Sequence, residues 1–125
     1  AAHLGETSVD EQTAMLLQYE KGELALLACA VRTNTLQEAR ILGTEGSISI
    51  PSFWHAPSAT LRRKGEEPVE ASGEPGYHHE AAEVMSCLRA GKIECAAMPL
   101  DESVAIAGIM DRVRATIGLT YPMEK

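Results

Sequence analysis

The order of patterns in this 125-residue chain predicts an α+β fold, an open and largely antiparallel β-sheet with helices packed on one face. Three observations carry that expectation. The first half breaks into short apolar or alternating runs separated by glycine-bearing polar turns. Those runs follow one another directly, so neighbours pair as hairpins. The second half then changes to a helical period. The length is that of one ordinary domain, and 45% hydrophobic content is enough to fill a core without disulfides.

Gln12 to Tyr19 (QTAMLLQY) and Glu23 to Val31 (ELALLACAV) flank Glu20-Lys21-Gly22, where the glycine can take positive φ, and form the first hairpin. Glu38 to Leu42 (EARIL) and Ser47 to Ile50 (SISI) form the second across Gly43-Thr44-Glu45-Gly46, with Ile48 and Ile50 alternating with serines. Two more polar strands, Ala59 to Arg63 and Pro68 to Ala71, meet at Lys64-Gly65-Glu66-Glu67. Ala81, Val84, Met85 and Leu88 then fall on one helix face, and Gly91 ends it. A second helix starts near Asp101-Glu102-Ser103, acids suited to the positive end of the helix dipole. Its stripe is Ile106, Ile109, Met110, Val113 and Ile117, stopped by Gly118. The chain shows no internal repeat, low-complexity tract or linker.

Eighteen acidic against eleven basic residues give a formal charge of −7, and no basic cluster exceeds Arg62-Arg63-Lys64. Phosphate backbones repel such a chain, which excludes nucleic acid as the expected partner. No run approaches the ~20 apolar residues of a membrane span, and the N-terminus has no signal-peptide pattern. Three cysteines, an odd number without CxxC spacing, point to a reducing, cytoplasmic compartment.

Two stretches are candidates for chemistry. In GYHHEAAEV, Tyr77, His78, His79 and Glu80 precede a helix. Adjacent helical residues point about 100° apart, so His78 and His79 cannot share one metal ion as an H-E-x-x-H pair does. A histidine there has a suitable intrinsic pKa for proton transfer, yet polar residues also simply dress a helix start. In PSFWHAP, residues 51 to 57, the only phenylalanine and the only tryptophan stand between two prolines with His55 beside them. Trp54 and its neighbours either wall a pocket or cap the core. No P-loop, catalytic triad, Cys/His zinc spacing or strand-linked G-x-G-x-x-G occurs. Glu20-Lys21-Gly22 lacks the proline of a Glu-Lys-Pro motif and sits in a turn.

Leu24, Leu26, Ala28 and Ala30 alternate with Ala25, Leu27, Cys29 and Val31, so both faces of this strand are apolar. Two helices can cover one face only. The other is expected to meet a second copy of the chain, with Ala25, Leu26, Ala28 and Ala30 as interface candidates and a homodimer or higher homo-oligomer as the result.

EARILGTEGSISI at residues 38 to 50, followed by PSFWHAP and by GYHHEAAEVMSCLRAGKIECAAMPLDES, resembles the C-terminal domain of the glucose-fructose oxidoreductase, inositol dehydrogenase and rhizopine-catabolism (Gfo/Idh/MocA) family. It is most similar to the dimeric dihydrodiol dehydrogenase and sugar dehydrogenase branch. The resemblance spans about residues 9 to 122 and rests on the order and spacing of several motifs. It implies a dihydrodipicolinate-reductase-like or glyceraldehyde-3-phosphate-dehydrogenase-like C-terminal fold. It also implies an NAD(P)-dependent oxidoreductase acting on a sugar, polyol or trans-dihydrodiol, a carbohydrate-like small molecule.

In this family the cofactor belongs to a Rossmann domain upstream. The hydride-site lysine lies in a Glu-Lys-Pro motif there, and an aspartate paired with histidine or tyrosine lies at the domain entrance. The chain is expected to begin downstream of both, as one C-terminal substrate and oligomerisation domain at 1–125, inactive alone and without catalytic, cofactor or metal residues. By the same resemblance Trp54 matches an aromatic of the substrate cleft, and His79 stands where tyrosine is frequent. Trp54, His55, Tyr77, His78 and His79 are thus the substrate-cleft candidates. The competing expectation is a non-enzymatic sheet module that dimerises or binds a small molecule.

Overall fold

Every strand pairing in the chain is antiparallel and joins neighbours in sequence. A computed structural model describes residues 1–124. The architecture is α+β, with the strands divided into two ladders and two long helices following. The chain separates into two units. One comprises Ala1–Thr35 with the segment from Glu94 onward, and the other is Leu36–Ile93.

In the first unit β1 (Ala2–Leu4), β2 (Asp10–Gln18) and β3 (Leu24–Ala30) form a three-stranded sheet in that order. The β2–β3 hairpin pairs Leu16 with Leu26 and Ala14 with Ala28. Its turn closes through the Gly22 amide donating to the Tyr19 carbonyl at 3.0 Å, with Gly22 at φ 95, a conformation that glycine adopts without a Cβ penalty. β1 is not expected from the sequence, because three residues are too few to show alternation. Thr13, 3% exposed, donates its hydroxyl to Asp10 Oδ2 at 2.8 Å, so the one buried polar side chain named in this sheet has a partner.

Helix α2 (Leu100–Ile117) starts after extended Pro99, carries Asp101 and Glu102 in its first turn and ends at Gly118. Ile109, Val113 and Ile117 of its apolar stripe line a hollow of about 320 Å³ with Met15 and Leu17 of β2. These five side chains are half-buried, whereas Leu16, pointing to the other face of the strand, is 61% exposed. The helix therefore covers the Met15–Leu17 face.

The second unit holds β4 (Glu38–Leu42), β5 (Gly46–Pro51), β6 (Ser58–Arg63), β7 (Val69–Ser72) and helix α1 (His78–Arg89). Its sheet runs β4-β5-β6-β7, and the register lines up Ile41, Ile48, Leu61 and Val69 in one row across all four strands. Such rows of facing aliphatic pairs stabilise a sheet locally. At the edge, Arg40 grips Glu38 through two hydrogen bonds of 2.8 and 3.1 Å, which hold the Glu38 carboxyl below its ordinary range.

The sequence suggests one sheet, and the strands instead form ladders of three and four. The break falls at residues 31–37, where no strand is described. Arg32, Thr33 and Asn34 follow β3 there, and Arg32 turns back to Glu11 at 3.1 Å. Among the described residues no helix is long and apolar enough to cross a membrane.

The C-terminal turn, Pro122–Glu124, is fastened to α2. Glu124 accepts from the Tyr121 amide at 3.1 Å and from Arg114 Nη2 at 2.8 and 3.0 Å, while the Arg114 guanidinium lies 5.0 Å from the Tyr121 ring centre. The Tyr121 amide first, and then Arg114, hold the Glu124 carboxyl below its usual value. A lowered folded pKa gives a contribution that is complete above the ordinary carboxylate range and lost as pH falls through the folded value. As pH falls below the ordinary carboxylate range this turn is therefore expected to be released, read as lost amide protection at Tyr121 and Glu124 relative to the intrinsic exchange rate at each pH. Glu124→Gln should show the low protection already at neutral pH and little further change on acidification.

Candidate functional site

A hollow of about 270 Å³ in the second unit is lined by Trp54, His55, Ala56, Glu74, Pro75, Gly76, Tyr77 and His79. Four of the five cleft candidates named from the sequence therefore meet in one place, although Tyr77 lies 23 positions after Trp54 in the chain. His78 is not in the lining.

The first wall is the segment between β5 and β6. Pro51 ends β5, and the chain turns on Ser52, whose carbonyl accepts from the His55 amide at 2.7 Å and the Ala56 amide at 2.8 Å. Ser52 and Ala56 sit at φ 48 and φ 35, left-handed values uncommon outside glycine. This tight turn pushes Trp54 outward. The indole is 60% exposed and Phe53 is 54% exposed, so neither aromatic serves as core in this chain. His55 meets the indole edge-on, with ring centres 5.0 Å apart and planes at 86°.

The second wall is the turn into α1. Tyr77 occupies the N-cap position without a side-chain cap and is 76% exposed, and Glu80 supplies an acid in the first turn. His79 Nε2 lies 2.6 Å from the Glu74 carbonyl oxygen. A carbonyl can only accept, so Nε2 carries the proton and His79 fastens the 74–79 turn, leaving Nδ1 as the ring's free acceptor when neutral. His78 and His79 stack at 4.0 Å between ring centres, tilted by 39°. Gly76 sits at φ 156, which L side chains rarely adopt, and a Cβ there would come within 2.6 Å of His78 Nδ1, so the exposed His78 ring would have to move. The sequence reading missed this glycine and Glu74; the G-Y-H-H string was the available signal.

The arrangement can stack a small ring or sugar face on Trp54 and Tyr77 and offer hydrogen bonds from His55 and His79. It does not fit a nicotinamide dinucleotide. All pairings are antiparallel, so no described strand feeds a parallel β-α-β crossover, and α1 opens with Tyr77, His78 and His79 where a pyrophosphate needs small residues.

The interface candidates divide between two faces. Ala28 pairs with Ala14, Leu26 with Leu16, and Ala30 with Gln12, which places Leu26, Ala28 and Ala30 on the face away from Met15 and Leu17. Leu26 is 83% exposed there. Ala25 pairs with Leu17 and lies on the opposite face, half-buried.

No family model matches the chain. Its sequence is 34% identical to trans-1,2-dihydrobenzene-1,2-diol dehydrogenase of Xenopus tropicalis across 95% of this chain and 39% of that protein. The enzyme of the same name from Homo sapiens is 32% identical across 96% of this chain and 39% of its own length, and that from Danio rerio is 31% identical across 95% and 38%. The chain thus spans about two fifths of the length of these relatives. With 95% of the chain aligned, the residues around the hollow fall inside the similar region.

Gly76→Ala is expected to cost ~1 to 2 kcal/mol in denaturant unfolding, since the new Cβ meets the His78 ring and the backbone leaves glycine's range. The imidazole resonances of His78 and His79 should shift with it. A Gly76→Ala chain with unaltered imidazole signals and stability contradicts the packing described.

Proposed function

We propose that the chain is the substrate-binding and oligomerisation domain of an NAD(P)-dependent oxidoreductase of the Gfo/Idh/MocA type, acting on a sugar, polyol or trans-dihydrodiol. The observation that carries this reading is the gathering of Trp54, His55, Tyr77 and His79 around one hollow, inside a chain similar over 95% of its length to trans-1,2-dihydrobenzene-1,2-diol dehydrogenases. Exposed aromatic faces next to histidine donors and acceptors suit a small polyhydroxylated or cyclic ligand. The nicotinamide cofactor is assigned to a nucleotide-binding domain of the whole enzyme, which would supply hydride transfer and the main acid-base group. These 125 residues would shape the substrate side of the cleft, in a cytoplasmic enzyme.

Trp54→Ala tests the cleft. An exposed indole contributes contact area to a ligand rather than to a core, so the full-length enzyme should show about a tenfold higher KM, ~1.4 kcal/mol, with kcat nearly unchanged. The unfolding midpoint should move little. A collapse of stability with normal KM in the surviving protein would return Trp54 to a structural role.

The same reading gives the exposed β2–β3 face to a second copy of the chain. Ala14, Leu16, Leu24, Leu26 and Ala28 form an apolar surface on one side of the hairpin, with small residues at the Ala14–Ala28 pair that let another sheet approach. Ala28→Asp is expected to give a folded monomer by sedimentation, and Ala25→Asp, on the half-buried face, a destabilised chain. A monomeric unmodified protein at micromolar concentration rules the interface out.

A further inference from the structure

We infer that Gln37 is a positioning residue for Trp54, holding the indole in the orientation that the cleft uses; this rests on the reading of Trp54 as a substrate contact. Gln37 lies outside the hollow and 17 positions from Trp54, yet it is tied to the aromatic segment twice. Its side-chain oxygen Oε1 accepts the indole N–H of Trp54. Its backbone carbonyl accepts the Phe53 amide at 3.3 Å. One residue therefore fixes both the chain path into the turn and the ring that the turn presents.

The need for such a tie follows from the surroundings of the ring. Trp54 is 60% exposed, so packing does not select its rotamer. The backbone beneath it is already committed: Ser52 and Ala56 hold left-handed φ values, and Pro51 and Pro57 bound the segment. What remains free is rotation of the indole about its two side-chain torsions. The Gln37 bond restrains that rotation, because a ring swung away leaves the N–H without this acceptor. Gln37 is itself anchored, since it immediately precedes β4 and the Glu38–Arg40 pair. A preorganised aromatic loses less entropy when a ligand stacks on it, which appears as tighter binding without a change in the chemical step.

Trp54 is the only tryptophan of the chain, so its fluorescence and its single indole N–H resonance report on this ring alone. In the 125-residue chain, Gln37→Leu is expected to lower tryptophan anisotropy and to speed indole N–H exchange severalfold. Gln37→Glu, which keeps the acceptor oxygen, should restore both. In the full-length enzyme Gln37→Leu should raise KM about threefold to fivefold, the size of one modest hydrogen bond, with kcat within about twofold. Thermal unfolding should be unmoved, because Gln37 is exposed.

Anisotropy and exchange unaffected by Gln37→Leu overturn the inference, whatever Trp54→Ala does to KM. A looser indole with unchanged KM also overturns it, provided Trp54→Ala does raise KM. If Trp54→Ala leaves KM unchanged, the cleft reading itself fails and the role of Gln37 falls with it. A loose indole, a raised KM and rescue by Gln37→Glu together are the supporting result.

Discussion

Antiparallel hydrogen bonding between strands adjacent in sequence is the interaction on which the rest of this chain depends. Each ladder is built by short turns, so its register is set locally and needs no distant segment to define it. The hydrophobic core contributes less. Among the described residues Cys87 and Leu119 are the buried apolar ones, while Leu24, Leu26, Ile41, Leu42 and Val69 stand more than half exposed on their strands. Ladders without a deep core are stable enough to define a path but leave apolar faces in water. Under the proposed reading, the Leu26–Ala28 part of these faces would be the surface given to a second copy.

The same local logic builds the hollow. Short hairpins place irregular segments at the ends of strands, and two of these, residues 52–57 and 73–77, follow β5 and β7. Neither segment relies on a hydrophobic core for its shape. The first is held by the Ser52 carbonyl and by Gln37, and the second by the bond between His79 and the Glu74 carbonyl. Polar ties of this kind fix geometry while leaving Trp54 and Tyr77 exposed.

Much of this was legible in the sequence where a pattern repeats. The alternation of Ile48 and Ile50 with serines, the Gly22 turn and the stripe Ile109, Val113, Ile117 each reflect a period that side-chain burial imposes. Trp54 stood out because a lone tryptophan between prolines belongs to no periodic element. Features that depend on a single contact left no trace. Strand β1 is too short for a period, and the break between the two ladders at residues 31–37 carries no periodic signal. Gln37 is an unremarkable polar residue before a strand. The interface candidates show the intermediate case: alternation alone separates Ala25 from Leu26, Ala28 and Ala30, but only the position of α2 against Met15 and Leu17 says which face is left open.

The two histidines show how a contact changes the meaning of a motif. As a string, His78-His79 suggests proton transfer as readily as a helix start. In the structure, the bond from His79 Nε2 to the Glu74 carbonyl assigns the ring's proton and makes it a fastener of the turn. What it can still offer a ligand is Nδ1, an acceptor for a hydroxyl. His78 packs on its neighbour outside the hollow, and its ring lies where a Cβ at Gly76 would fall. Each histidine acts first on the backbone of the turn, and through it on the position of Tyr77. The place of Tyr77 beside the hollow is therefore set by how this turn is tied.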